Sequence, residues 1–71
     1  MNKKDRLDAF IHGYLIGLKV SGHCLDTFPI SKTEDLVCFL TSKGQYPVYK
    51  RDDIVMAFRN QYRILTALGR L

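Results

Sequence analysis

The sequence lacks several features that would by themselves assign a chain of this length to a functional or structural class of proteins. It contains no tryptophan, no Cys-x-x-Cys pair, no glycine-rich phosphate-binding loop, no internal repeat and no low-complexity tract. Its longest apolar stretch, residues 9–20, is interrupted by His12 and Lys19 and falls short of the ~20 apolar residues that cross a bilayer. Because 46% of the 71 residues are hydrophobic, a disordered tail is also excluded. We therefore expect one small globular domain over residues 1–71, with no membrane contact.

Residues that could carry catalysis or bind a metal are few. Cys24 and Cys38 are the only cysteines, and the adjacent His23 and Cys24 lack the usual ligand spacing of zinc sites. That pair alone does not supply the geometry of a nucleophile, a base and an orienting acid. The carboxylate pairs at 34–35 and 52–53 stand where helices are predicted to begin, which explains them without catalysis. We expect no enzyme activity, no metal and no cofactor.

The two cysteines also bear on the compartment. No signal-peptide pattern follows Met1, and two cysteines do not form a disulfide framework. We expect Cys24 and Cys38 to be reduced, half-buried thiols of a cytoplasmic protein, with a single disulfide between them as the alternative.

The distribution of charge is the feature that says most about a partner. Eleven Lys and Arg residues against seven Asp and Glu residues give a net charge of +4. Residues 1–35 contain five groups of each sign, whereas residues 36–71 contain six basic groups and only two acidic ones. The whole excess therefore lies in the second half. This asymmetry predicts a basic surface that faces nucleic acid or an acidic protein surface.

Hydrophobic periodicity predicts a mainly α fold of about three helices. Residues 5–20 carry apolar side chains at the i, i+3, i+4, i+7 spacing of a helix that stops near Gly22. The broad apolar face of a last helix, running to about residue 68, contains Ile54, Val55, Phe58, Tyr62, Ile64, Leu65 and Leu68. The first and last helices should pack together through Phe10, Ile11, Tyr14, Leu18, Phe58, Tyr62 and Leu65.

The ends of the last helix and one polar residue on it allow further expectations. Asp52 or Asp53 is predicted to cap its start, and Gly69 is predicted to stop it. Gln61 lies in the middle of the apolar face. It therefore needs a hydrogen-bond partner if it is buried.

The middle of the chain allows two interpretations. Ser31 and Glu34 match a capping box, which favours a short helix with Gly44 as its C-cap. The alternative is a β-hairpin with strands at residues 36–41 and 46–50, which would make the fold α+β with the order helix, β-hairpin, helix. The helix is preferred because both of its ends carry a signal.

The last helix carries a row of arginines. On a helical wheel Arg59, Arg63 and Arg70 lie within about 40° of one another, opposite the centre of the apolar face. Lys50 and Arg51 immediately precede the helix. Arginine binds phosphate or carboxylate through two parallel hydrogen bonds, so these five residues are our candidate site for nucleic acid or an acidic partner. The alternative is an ordinary solvated face.

Two tyrosines precede the basic segment. Tyr46 and Tyr49 flank Pro47, and aromatic side chains interleaved with basic ones can stack on bases. The alternative is that both rings cover the edge of the core.

A stripe of small residues marks the first helix. Ala9, Gly13 and Gly17 recur every four residues, with Ile16 and Val20 beside them. Two glycines inside a helix cost roughly 1 kcal/mol each relative to alanine, so a compensating contact is expected. Another helix could supply it from within the chain, from a second copy in a homodimer, or from a different partner.

Residues 47–54, Pro-Val-Tyr-Lys-Arg-Asp-Asp-Ile, followed by Phe58, resemble the end of the wing and the next helix of excisionase and MerR-type DNA-binding domains. The resemblance covers about a dozen residues and implies DNA binding. It departs from the family before that segment, because too few residues lie between Ser31 and Gly44 for the helix-turn-helix. We assign no family on this basis.

Together these features favour a non-enzymatic regulatory binding protein whose basic C-terminal helix contacts nucleic acid or a complex that contains it. The alternative is a small protein-binding modulator or inhibitor of a host complex, of the kind that phages and plasmids encode. That protein would use the small-residue stripe or the tyrosines, with the basic residues steering the approach of the partner.

Overall fold

Three helices make up the computed structural model: α1 (Lys3–Val20), α2 (Ile30–Ser42) and α3 (Arg51–Ala67). The structure describes residues 2–42 and 49–71, and it contains no strand within them. The mainly α prediction is therefore confirmed. The alternative hairpin is wrong, because residues 36–41 are helical. The predicted cap Gly44 lies outside the described residues.

Helix α1 begins two residues earlier than its apolar pattern indicates. The side chain of Asn2 accepts a hydrogen bond from the backbone N–H of Asp5 at 2.8 Å, which satisfies one of the free donors of the first turn. At the other end Gly22 adopts a φ of 91°. Its N–H donates to the carbonyl of Lys19, so the helix stops where glycine was expected to end it.

Helix α2 does not use the predicted capping box. It begins at Ile30, which places Ser31 inside the first turn. The first helical bond runs from the N–H of Thr33 to the carbonyl of Pro29 at 3.0 Å, and the buried hydroxyl of Thr33 donates to the same oxygen. The carboxylate of Glu34 is drawn instead to a cation on α3, described below.

Helix α3 starts without a side-chain cap. Its N-cap is Lys50, so Asp52 and Asp53 lie in the first turn and not at the capping position. There they interact favourably with the helix dipole. The helix ends at Ala67, with Leu68 as C-cap, and Gly69 follows with a φ of 73°. The expected role of Gly69 as the stop is confirmed.

Helix α3 is the element on which the others assemble. Both α1 and α2 pack against it, whereas no Cα atom of α1 lies within 8 Å of one in α2. The predicted contact between the first and last helices is therefore confirmed. The α1–α2 groove that this arrangement leaves has a volume of about 390 Å³ and is lined by Phe10, Tyr14, Asp35, Leu36 and Phe39.

The core lies between α3 and its two neighbours. Phe58 is at its centre with no exposed surface. Its ring is in edge-on contact with Tyr14 at 6.1 Å and with Phe28 at 5.7 Å between centroids. The other largest fully buried side chains are Ile11, Leu15, Leu40, Ile54 and Leu65.

Three residues expected on buried faces are exposed. Phe10 is 43% exposed because it lines the open α1–α2 groove. Ile64 and Leu68 are 48% and 65% exposed, so the apolar face of α3 is narrower than its sequence indicates.

The hydrogen bond expected for Gln61 is present. The amide oxygen Oε1 of Gln61 lies 3.3 Å from Nδ1 of His12, across the contact between α3 and α1. An amide oxygen only accepts, so the imidazole donates from Nδ1. This polar pair satisfies two side chains at the edge of an otherwise apolar contact.

Replacing the central ring tests this architecture. Phe58→Ala should lower the free energy of unfolding by about 3–5 kcal/mol, because it removes the central ring and both of its edge-on contacts, with Tyr14 and with Phe28. Met56→Ala, on the same helix but 67% exposed, should change it by less than about 0.5 kcal/mol. Urea unfolding followed by circular dichroism measures both. Equal losses in the two variants would contradict the assigned core.

Candidate nucleic-acid interface

Two of the predicted arginines border a recess on the C-terminal half of α3. Arg59 and Arg63, one turn apart, are both exposed. They line a cavity of about 550 Å³, within the range of ligand-binding pockets of about 300–1,000 Å³. We call it the α3 recess, and its lining consists of Phe28, Arg59, Tyr62, Arg63, Thr66 and Ala67.

A loop residue supplies the aromatic wall of the α3 recess. Phe28, which precedes α2, is held edge-on between Phe58 and Tyr62, at 5.3 Å from the Tyr62 ring. The hydroxyl of Tyr62 donates to the carbonyl of Leu25 at 2.8 Å, which ties the same loop to α3. The loop and the helix therefore present a preformed aromatic surface.

The ring of Phe28 also positions a cation. The guanidinium carbon of Arg59 lies 5.6 Å from the centroid of that ring, a cation–π contact worth about 0.5–1 kcal/mol at an exposed site. This contact holds the side chain at the edge of the recess and leaves its charge intact. Arg59 therefore loses less conformational freedom when it binds an anion.

The arginines of the recess form no ion pair with a described carboxylate. The one ion pair within residues 2–42 and 49–71 joins Arg51 to Glu34. No carboxylate of that part of the chain lies within 4.0 Å of the guanidinium groups of Arg59, Arg63 or Arg70. Because like charges one turn apart repel each other, Arg59 and Arg63 gain from an external anion.

Arg51 has a structural partner, in contrast to the prediction that groups it with the binding residues. Its guanidinium donates two hydrogen bonds to the two carboxylate oxygens of Glu34 and so joins α3 to α2. The hydrogen bond from Arg51 lowers the pKa of Glu34, and the same bond raises the pKa of Arg51. Lys50 lies beside it at the start of α3.

The five predicted basic residues therefore do not form one continuous site. With a rise of 1.5 Å per residue, Arg51 and Arg63 are about 18 Å apart along the helix axis. Arg70 lies beyond the end of α3, after the positive φ of Gly69, so the helical wheel does not place it. Of the five, the recess brings together Arg59 and Arg63.

Tyr49, one of the two tyrosines predicted to stack on bases, packs against the edge of the core. Tyr49 is half-buried and packs against the core cluster, and its hydroxyl donates to the carbonyl of Lys3 at 3.2 Å. This arrangement supports the alternative role of covering the core edge. Tyr46 lies outside the described residues.

The small-residue stripe of α1 faces away from the other described helices. Ala9, Gly13, Gly17 and Val20 are exposed, and a Cβ atom built on either glycine meets no described atom within 4 Å. No described part of the chain therefore packs against the two glycines. Ile16 is half-buried and packs on the core. A contact with a second copy or another partner stays a prediction.

The cysteines and the other potential metal ligands do not form a second candidate site among the described residues. Cys24 and Cys38 are free but exposed, which corrects the expectation of half-buried thiols. Cys24 Sγ donates to a carboxylate oxygen of Asp26 at 3.4 Å.

Among the residues with described positions, no three His, Cys, Asp or Glu side chains form a group that could hold a metal ion. Nor does that part of the chain contain a helix of the length and hydropathy needed to cross a bilayer.

Comparison of the chain with models of protein families, with curated proteins and with solved structures finds no match. The residues themselves therefore carry the functional argument.

The pair between Glu34 and Arg51 predicts a pH dependence. Because the folded pKa of Glu34 lies below its ordinary value of 4.5, the pair stabilises the fold above that pH, and the effect is lost as pH falls through the lowered pKa. In Arg51→Gln the NMR titration midpoint of the Glu34 carboxyl should rise toward the ordinary value. An unchanged midpoint would contradict the interaction.

Matched glycine substitutions test whether the α1 stripe is open. Gly13→Ala should raise the free energy of unfolding by roughly 1 kcal/mol, because alanine favours the helix and its Cβ meets nothing. Gly69→Ala should lower it by about 1–2 kcal/mol, because its φ is positive. Thermal unfolding measures both. Destabilisation by Gly13→Ala, with a loss of dimer in light scattering, would instead place a second copy on the stripe.

Proposed function

We propose that this protein is a non-enzymatic, nucleic-acid-binding regulator that contacts its target through the C-terminal half of α3. The observation that carries the proposal is the α3 recess: Arg59 and Arg63, which have no ion-pair partner among the described carboxylates, border a concave aromatic surface. Nucleic acid offers both complementary groups, a row of phosphates and the flat faces of bases.

The arginines suit phosphate in charge and in shape. Their planar guanidinium groups can donate two parallel hydrogen bonds to one phosphate, which lysine cannot do. Because they are four positions apart in the sequence, they are about 6 Å apart along the axis of α3. Each can therefore contact a different phosphate of the same strand.

The remaining charge assists approach more than it defines the site. Residues 36–71 carry six basic groups against two acidic ones, so their net positive potential attracts a polyanion over several ångströms. Arg51 contributes less to this attraction than its position indicates, because its charge is already paired with that of Glu34. Lys50 and Arg70 would lie at the margins of the contact with nucleic acid.

A protein partner is the second candidate, and one observation favours it. The stripe of Ala9, Gly13 and Gly17 is exposed and uncovered by described residues, although it includes two glycines within a helix. Close approach by a helix of another molecule would compensate for their cost. A modulator of that kind would depend on the stripe and not on the arginines.

Salt dependence tests the nucleic-acid proposal. Fluorescence anisotropy of labelled single-stranded and duplex DNA, at about 50 and 200 mM salt, should show micromolar binding that weakens at least tenfold at the higher salt. In Arg59→Gln/Arg63→Gln the slope of log K against log salt should fall by about 1.4–1.8, because each lost phosphate contact removes about 0.7–0.9.

The matched control is Lys4→Gln/Arg6→Gln, which removes the same charge from the first turns of α1. Those turns lie beside the opposite half of α3, near Asp53 and Met56. The control should keep the slope of the parent protein. Absence of binding at the lower salt would refute the proposal, and loss of partner capture on Gly13→Leu alone would then support the second candidate.

A further inference from the structure

We infer that the α3 recess binds an unpaired base, so that the nucleic acid bound by this protein is single-stranded. The inference rests on the proposed function and specifies its substrate. It differs from a general phosphate contact because it assigns a role to the cavity that the two arginines border, and not only to their charges. Two features of the recess support the inference: its lining is apolar, and the guanidinium groups of Arg59 and Arg63 lie at its edge.

The walls of the recess match the face of a base. Phe28 and Tyr62 contribute aromatic surface, and Ala67 contributes an apolar methyl group. The guanidinium of Arg59 already lies over one ring at 5.6 Å. Bases that are not stacked in a duplex stack on aromatic side chains and on guanidinium planes, and these are the two surfaces present here.

Charge complementarity identifies what else the ligand carries. Arg59 and Arg63 line the recess with no described carboxylate within ion-pairing distance. An occupant that places an apolar planar group inside must therefore place an anion beside it. A nucleotide in a strand has that combination, with a phosphate on each side of its base.

Duplex nucleic acid would use only part of this surface. In a duplex the bases are paired and stacked, so that only their edges are accessible in the grooves. A duplex could bind the two arginines through phosphates but would leave the aromatic recess empty. An acidic protein segment would satisfy the charges and leave the recess equally unfilled.

The recess is also formed before any ligand binds. Phe28 is held by Phe58 and Tyr62 on its two sides, and the Tyr62 hydroxyl is bonded to the loop at Leu25. A stacking surface that is ordered in advance loses little entropy on binding. Occupation therefore requires no rearrangement of the core.

The test compares three polyanions that differ in whether they present accessible bases. Oligothymidylate of about 16 nucleotides, the upper range of sites on single domains, is compared with a duplex of equal length and with polyglutamate. All are measured by anisotropy at one salt concentration. We expect the single strand to bind at least about tenfold more tightly than either competitor, consistent with stacking of one base.

Two variants separate the recess from the charge. Ala67→Phe fills the cavity without changing any charge, and it should weaken binding of oligothymidylate about tenfold. The matched control is Leu68→Phe, which adds an aromatic ring to the adjacent exposed position outside the lining and should bind as the parent does. Circular dichroism establishes that both variants fold.

The outcomes distinguish this inference from the proposed function. Equal binding of duplex and single strand, unchanged by Ala67→Phe, would overturn the recess as a base site while nucleic-acid binding stands. Preference for polyglutamate, or no binding of either nucleic acid, would overturn both. Backbone NMR shifts that oligothymidylate causes at Thr66 and Ala67 would support the inference, and shifts confined to the first turn of α3 would refute it.

Discussion

The packing of α1 and α2 onto α3, with no close approach of their own backbones, is the constraint on which the rest of this structure depends. Phe58 occupies the centre of that arrangement and contacts aromatic rings from α1 and from the interhelical loop. Through Phe28 the same contact extends to the surface, where it forms the wall beside Arg59. The core and the candidate site are therefore successive parts of one aromatic cluster, and a change at its centre reaches the surface through direct contact.

The arginines in the second half of the chain have two kinds of surroundings. Arg51 joins two helices through Glu34, whereas Arg59 and Arg63 have no described carboxylate beside them. Exposed ion pairs contribute little to stability, so the first arginine helps to orient α2 against α3 more than it strengthens the fold. The other two retain their full charge next to an apolar cavity.

The sequence was sufficient to predict the first and last helices, the contact between them and the partner requirement of Gln61, because these follow from periodicity. The middle helix was preferred over a hairpin because of signals at its two ends, and the signal at its start is not the one that the structure uses. The recess was not predictable in this way. Phe28 belongs to a loop, where no periodic pattern indicates which way a side chain points, and the wheel that grouped Arg70 with Arg59 fails once the helix has ended. The capping box at Ser31 is not formed because α2 begins at Ile30. Glu34 instead binds Arg51 of a distant segment, and a local motif carries no information about such a partner.

The dependence of α1 and α2 on α3 has a consequence for synthesis of the chain. Because a ribosome makes the helices in sequence order, the element against which both earlier helices pack is produced last of the three. Until then the apolar faces that include Ile11, Leu15 and Leu40 have no completed core to enter. Chains with uncovered apolar surface are the ones that aggregate or engage chaperones. For this small protein the vulnerable interval of translation thus extends until α3 has left the exit tunnel, and a pause within the codons of that helix would prolong it.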